Sequence, residues 1–250
     1  MQSEKDISIE DRLKAKKLGP FPCMYQDWRH LLFLNWAYDP KEIQKTLPKG
    51  LFVDVHEGKA FLSVVVFFIE NLRAPFLPKV PGLSHFIEIN LRTYVYDERG
   101  VPGVWFYSLD IDSKLAAFGG RTFFHLPYHQ ADLKSEFKNG IIHITGQRKS
   151  NPSTFFNFSY KENNEKNRLA KPGTQDFFLV ERYILYTTVK NQLKRGQVHH
   201  ESYPLAQTDF FTANTNLFES NHFFKPQGPP DSIQYSPGVD VSIFPLKNNK

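Results

Sequence analysis

Apolar and polar positions alternate along residues 86–96. Ile87, Ile89, Leu91, Thr93 and Val95 share one face, and Phe86, Glu88, Asn90, Arg92 and Tyr94 share the other. A period of two predicts a β-strand. Residues 104–109 are nearly all apolar or aromatic, which predicts a strand buried on both faces. Residues 28–36 read as another apolar strand. Behind it, Asp39-Pro40-Lys41-Glu42 predicts a helix start, with a capping Asp, Pro at the first helical position and an acid in the first turn. Pro48 stops that helix. Residues 50–56 and 59–69 read as a hairpin turning at Glu57-Gly58.

Residues 74–83, rich in Pro, read as a loop, and so does the charged stretch 163–171. Asp112 or Ser113 can cap a short helix through Phe118, ended by Gly119 and Gly120. Further strands are predicted at 141–148, 154–160, 177–190 and 197–203, the last two joined by a turn at 194–196. A Pro- and Gly-rich stretch at 226–237 precedes a final strand at 240–245. This pattern predicts one mainly β (α+β) domain over residues 21–250, behind a flexible, partly helical leader at 1–20. A large antiparallel sheet curled into a closed or nearly closed barrel would also remove exposed strand edges.

Composition sharpens this picture. The 24 Phe and 11 Tyr favour strands, because aromatic rings pack well on pleated surfaces. A chain of 250 residues, 40% hydrophobic and 23% charged, can bury a full core as a soluble protein. The net charge of +5 is scattered among nearly as many carboxylates, without the clustered basic face that nucleic-acid binding needs. Cys23 is the lone cysteine, which excludes an internal disulfide and points to a reducing, cytoplasmic setting. The thiol reads as a small buried hydrophobe before a nucleophile. Residues 1–20 mix acids and bases without an apolar core, unlike a secretory signal. The longest apolar run, 61–69, is too short to span a bilayer, so no membrane partner is expected.

Most chemical motifs are missing. There is no glycine-rich phosphate loop, dinucleotide fingerprint, HExxH, paired CxxC or GxSxG elbow, so no nucleotide cofactor or metal is expected. On a strand, His199 and Glu201 would face one way and His200 the other, which offers two ligands where most metal sites need three. Lys114 could serve as a Schiff-base amine but sits among helix-surface positions. Two readings of the even face of 86–94 stay open: a solvated face with a weak Glu88–Arg92 contact, or a barrel interior that holds both aromatic and polar groups.

Several stretches carry a family resemblance: 29–51, 81–95, 103–110, Leu126-Pro127-Tyr128, FLVERY at 178–183, 201–205 and the closing YSPGVDV at 235–241. They resemble the YqjF-like family of uncharacterised bacterial proteins, a domain of unknown function, over nearly all of the chain beyond the leader. That family is similar in fold to acetoacetate decarboxylase, whose large antiparallel sheet curls into a cone-shaped barrel around a pocket. The resemblance implies this fold with a few short helices, and an assembly into homo-oligomers.

The resemblance can be followed by position. Arg29 opens a run, ending at Pro48-Lys49-Gly50-Leu51, that is similar to the decarboxylase segment starting at its pocket arginine. Glu88 matches the pocket glutamate, and a second one would fall at Phe67 or Glu70. Gly119-Gly120-Arg121 matches the GGR leading to a Phe-Pro-Lys-Lys motif, which here reads Leu126-Pro127-Tyr128-His129. Tyr128 thus stands at the Schiff-base lysine position and His129 at that of the lysine beside it. An imine requires a primary amine, and a phenol forms none. The resemblance therefore implies the decarboxylase shell without its lysine chemistry. The expected ligand-binding groups are Arg29, Glu88, Arg92, Arg121 and Tyr128, and the expected proton-transfer groups are Glu88, Tyr128 and His129. Three roles fit them: binding a small carboxylate or keto compound, non-covalent proton transfer beside a carbonyl, or a structural Glu88–Arg29 or Glu88–Arg92 pair.

Overall fold

A computed structural model describes residues 7–16, 19, 21–79, 85–163 and 166–249. The first half of the chain runs α1 (Ile9–Ala15), β1 (Met24–Tyr38), α2 (Pro40–Gln44), β2 (Leu51–Val53), β3 (Ala60–Arg73), β4 (His85–Asp97), β5 (Pro102–Ile111) and α3 (Lys114–Phe123). It continues with β6 (Tyr128–Lys138), β7 (Ile141–Arg148), β8 (Phe155–Glu162), α4 (Gln175–Val180), β9 (Ile184–Val189), β10 (Gln192–His200), β11 (Thr208–Thr215), α5 (Leu217–Ser220), β12 (Ser232–Ile243) and β13 (Lys247–Asn248).

Strands β1, β3, β4, β5, β9, β10 and β12 close a ring. Neighbours pair antiparallel all the way round except at one seam. There β5 meets β9 in parallel, through Val104↔Leu185 and Trp105↔Tyr186. The seam depends on Gly103, where a Cβ would lie 2.6 Å from the Ile184 carbonyl oxygen. Farther along the same edge of β5, Leu109, Asp110 and Ile111 pair in parallel with Tyr128, His129 and Gln130 of β6. Strands β6, β7, β8 and β11 then form an antiparallel sheet. Asp110 on β5 accepts two hydrogen bonds from Arg148 on β7, at 2.7 and 2.8 Å, a buried bidentate pair that fastens this sheet to the ring.

The central ring strands bury both faces. Leu31, Phe33, Val65, Phe67, Phe86 and Tyr94 belong to one core inside the ring. Their sequence neighbours Leu32, Leu34, Val64, Val66, Ile87 and Ile89 pack in a second core with Ile142, Ile144, Phe156 and Phe158 of the outer sheet. Burial on two sides explains the nearly unbroken apolar run in β3. It also excludes the solvated reading of β4, whose even-numbered side chains are all buried.

Several local expectations are corrected. Gly119 and Gly120 lie within α3, which Ser113 caps and which runs on to Phe123. The strand expected at 177–190 divides into α4, capped by Thr174, and β9. Residues 177–180 are buried throughout, and an apolar run with no solvent face carries no period to tell helix from strand. Lys190-Asn191, with φ of 49° and 60°, form the turn between β9 and β10, in place of 194–196. β2 pairs with β4 instead of forming a hairpin with β3, although a His56↔Lys59 bridge spans Glu57-Gly58. β12 begins inside the Pro- and Gly-rich stretch at 226–237, ahead of the strand expected at 240–245. β6 and β11 escaped the sequence reading because their largely exposed faces dilute apolar alternation.

The expected loop at 74–83 and leader at 1–20 fall partly outside the described residues. Within them, the leader is helical as expected and is held down. Arg12 of α1 donates to both carboxylate oxygens of Asp54, at 2.7 and 2.9 Å. Among the described residues, no helix is long and apolar enough to cross a membrane.

Candidate functional site

The ring encloses a cavity of about 290 Å³. Each ring strand supplies a wall residue: Trp28 from β1, Phe67 from β3, Phe86 from β4, Phe106 from β5, Leu185 from β9, Val198 from β10 and Ile243 from β12. Leu115, Ala116 and Phe123 of α3 line it at one end. At the level of Tyr94 the ring is filled by α4, whose Phe178 ring centroid lies 5.3 Å from that of Tyr94.

Polar groups gather in one part of this apolar space. Glu88, Asn90 and Arg92 follow one another at a spacing of two on β4 and so face the same way. They are 4%, 3% and 8% exposed. Glu88 Oε1 accepts from Asn90 Nδ2 at 3.0 Å, and Oε2 accepts from the Tyr128 hydroxyl at 3.2 Å. Tyr128 reaches Glu88 because β6 pairs with β5 and because α3 carries a glycine beneath the ring. A Cβ at Gly120 would lie 2.3 Å from Tyr128 Cε2. The Gly-Gly-Arg motif therefore clears space for Tyr128, and Arg121 Nη1 holds its carbonyl oxygen at 3.1 Å.

Arg92 is a costly occupant of such a space. Its guanidinium lies over the rings of Phe33 and Tyr94, 5.5 and 5.6 Å from their centroids. Among the described residues it hydrogen-bonds to the Leu179 carbonyl oxygen at 3.4 Å, and its buried Nε has no acceptor.

Burial raises the Glu88 pKa from its ordinary 4.5 to about 7, against the lowering effects of Asn90, Tyr128 and Arg92. The Tyr128 phenol is pushed well above 10 by burial and by the Glu88 charge, so it remains a donor. Between pH 4.5 and 7 the native state holds the Glu88 proton more tightly than the unfolded chain does. This contribution to stability is complete below 4.5 and is lost as pH rises through 7. Urea unfolding should therefore show a loss of about 2–3 kcal/mol between pH 5 and pH 8 that Glu88→Gln does not show. Parallel curves for the two proteins would clear Glu88 of this strain.

Three expected site residues lie elsewhere. Arg29 is next to Trp28, which faces the cavity, so it points outward. It donates to the Trp28 and Val239 carbonyl oxygens at 2.9 and 3.0 Å and to Asp240 at 2.8 Å. At His30, with φ of 53°, β1 departs from regular alternation, and its register to β3 shifts between Arg29 and Leu32. His129 follows Tyr128 and so takes the opposite face, opposite Asp110 of β5. Burial, followed by the charge of Arg148, lowers its pKa. Arg121 is exposed and acts on the Tyr128 backbone. Phe67 is an apolar wall of the cavity, and Glu70 lies 3.7 Å from His85.

The remaining candidates have ordinary surroundings. His200 is buried between the rings of Tyr183 and Tyr203, with its pKa lowered by burial to about 4. His199 Nδ1 lies 3.0 Å from the Lys16 carbonyl oxygen. The Cys23 thiol donates to the Ile243 carbonyl oxygen. Lys114 is exposed, and the described residues lining the cavity include no lysine. Sequence reasoning did not single out Asn90 as a site residue, although the period of two that marked Glu88 and Arg92 also marks the residue between them.

Comparison with known proteins agrees with this fold. Residues 25–240 match the DUF2071 family, described as "Uncharacterized conserved protein". The uncharacterized protein YqjF of Bacillus subtilis (strain 168) is 35% identical over 244 residues, 98% of this chain and 96% of that protein. Among solved structures, acetoacetate decarboxylase from Legionella pneumophila superposes with a TM-score of 0.61 at 13% identity, covering 100% of this chain and 98% of that one. An acetoacetate decarboxylase-like enzyme from Sphingomonas wittichii gives 0.60 at 13% identity, covering 92% and 94%. The chain belongs to the DUF2071 (YqjF-like) family and has a mainly β, acetoacetate decarboxylase-like fold.

Proposed function

We propose that the ring cavity binds a small carboxylate or keto compound, and that the chain carries out no decarboxylation through a lysine imine. One observation carries the binding reading: Glu88, Asn90, Arg92 and Tyr128 converge inside a cavity that is aromatic and aliphatic apart from them and Gln26. Few polar groups among apolar walls is the composition of a ligand site, in which the walls supply affinity and the polar groups orientation. At about 290 Å³ the space suits a small ligand. Arg92 offers a guanidinium suited to a carboxylate or enolate. Tyr128, which the sequence resemblance matches to the decarboxylase lysine, and a described lining without lysine support the exclusion of imine chemistry. A cytoplasmic bacterial protein, with homo-oligomers as in similar folds, completes this reading; the single Cys23 supports the reducing compartment.

The Glu88–Tyr128 hydrogen bond favours a second reading as an enzyme. With a pKa about 7, Glu88 could take or give a proton beside a bound carbonyl while Tyr128 donates to the developing oxyanion. Enolisation, hydration and dehydration fall in this class, and His129 has no part in it because it faces away.

Native mass spectrometry of the purified protein should reveal a co-purifying small acid or keto compound. Borohydride treatment in the presence of acetoacetate should leave the protein mass unchanged, whereas a stoichiometric lysine adduct would overturn the exclusion of imine chemistry. Solvent deuterium appearing in a keto acid, and lost in Glu88→Gln, would select the enzyme reading over simple binding.

A further inference from the structure

The polar part of the cavity is unevenly satisfied. Both Glu88 carboxylate oxygens are occupied, one by Asn90 Nδ2 and the other by the Tyr128 hydroxyl. This commits the Asn90 amino group to Glu88 and, among the described residues, leaves Asn90 Oδ1 buried with no donor. Two residues along, Arg92 Nε is buried with no acceptor among the described residues. Both residues are more than nine-tenths buried, and both line the cavity. Orphaned polar atoms of this kind are costly and rare, and a ligand that satisfies them recovers the cost.

We propose that the cavity takes a monocarboxylate with an apolar body, and that each carboxylate enters with one proton, which is stored on Glu88 as the Asn90 side-chain amide reverses. This rests on the ligand-binding reading above. A carboxylate only accepts hydrogen bonds, so Arg92 Nε suits it while Asn90 Oδ1 repels it. Turning the Asn90 amide over presents Nδ2 to the ligand and Oδ1 to Glu88. Two acceptors would then face each other unless Glu88 carries a proton, in which case its O–H donates to Asn90 Oδ1. The proton comes from solvent, and no other bond is made or broken.

Charge follows the same course. Above pH 7, Glu88⁻ accompanies Arg92⁺ before binding; afterwards, neutral Glu88 and the ligand carboxylate accompany Arg92⁺. The buried net charge is unchanged, so burial of the ligand anion adds no uncompensated charge. The groups that face Glu88 permit this exchange. Arg92 lies on its own strand, the Tyr128 phenol comes from β6, and Asp110 of β5 is held by Arg148 of β7. On the cavity side, β1 brings neutral Gln26, while β3 and α3 bring apolar side chains and glycines. The near-neutral Glu88 supplies the proton-binding capacity in the physiological range. Trp28, Phe33, Phe67, Phe86 and Phe106 require the rest of the ligand to be apolar.

Calorimetry with phenylacetate in buffers of different ionisation enthalpy tests this. At pH 8, close to one proton should be taken up per phenylacetate bound, falling to near zero by pH 6, and affinity should drop about tenfold per pH unit above 7. Glu88→Gln, whose amide can donate as protonated Glu88 does, should bind phenylacetate at both pH values with no uptake. The neutral 2-phenylacetamide, which accepts from Arg92 and donates to Asn90 as it stands, should bind wild type without proton uptake. Phenylacetate binding at pH 8 with no proton uptake overturns the proposal, as does 2-phenylacetamide binding where phenylacetate, hexanoate and 4-methyl-2-oxopentanoate do not. If none of these compounds binds, it is the underlying ligand-binding reading that fails. The wild-type measurement decides the matter even if the variant does not fold.

Discussion

Asp54→Ala is expected to destabilise the protein by about 3–5 kcal/mol, the cost of removing one partner from a buried ion pair. Asp54 accepts from Arg12 at 2.7 and 2.9 Å and from Arg182 at 2.7 Å, with all three residues buried. Arg182 also lies over Phe178 and Tyr94, 4.4 and 5.0 Å from their ring centroids, and donates through Nε to the Phe178 carbonyl oxygen. Burial, with the Arg12 charge adding to it and Asp54 opposing it, lowers the Arg182 pKa to about 10. Without the carboxylate, two like charges share one apolar setting. Arg12 can escape by undocking α1, but Arg182 lies between α4 and β9 and cannot. Melting should fall by roughly 6–20 °C, and tryptic cleavage at Lys14 and Lys16 should quicken. A loss below about 1 kcal/mol would mean that water reaches this network freely.

Arg92→Met has the opposite balance. Arg92 gives up its hydration for one long hydrogen bond and two aromatic contacts. Because Glu88 can take up a proton near neutrality, an apolar side chain of similar volume here leaves no uncompensated buried charge below pH 7 and spares the desolvation of the guanidinium. Stability should stay within about 1 kcal/mol of wild type or rise, while phenylacetate binding should weaken at least about 30-fold, which corresponds to about 2 kcal/mol. Urea unfolding and calorimetry on the same preparation separate the two effects. A variant that loses several kcal/mol of stability yet binds as before would make Arg92 a packing element and remove the anion contact from the proposed site.

How much of this was legible beforehand depended on the distance over which each signal acts. The two faces of β4 could be read because side-chain direction has a period of two whatever the surroundings. Asp39 and Pro40 announced α2 because capping is settled within one turn. Gly119-Gly120 misled because the reason for glycine there is the Tyr128 ring, which reaches α3 only after the chain has turned back as β6. Arg29 and His129 misled because likeness of position does not carry orientation. One neighbours a bulge, and each sits beside a residue that already faces the cavity. The Asp54 network left no local trace, since Asp54 is separated by 42 residues from Arg12 and by 128 from Arg182.

By itself the amino-acid order determined the strand-rich class, the alternating faces of β4 and the kinship of the chain, because periodicity, capping and motif spacing are all written between near neighbours. Only the tertiary structure decided that β5 and β9 close the ring, that Tyr128 meets Glu88, and that Asn90 and Arg92 keep buried atoms without a partner among the described residues. Those outcomes arise from pairing between distant strands and from the exclusion of water inside a closed wall. The same exclusion turns an ordinary glutamate into one that can hold its proton near neutrality.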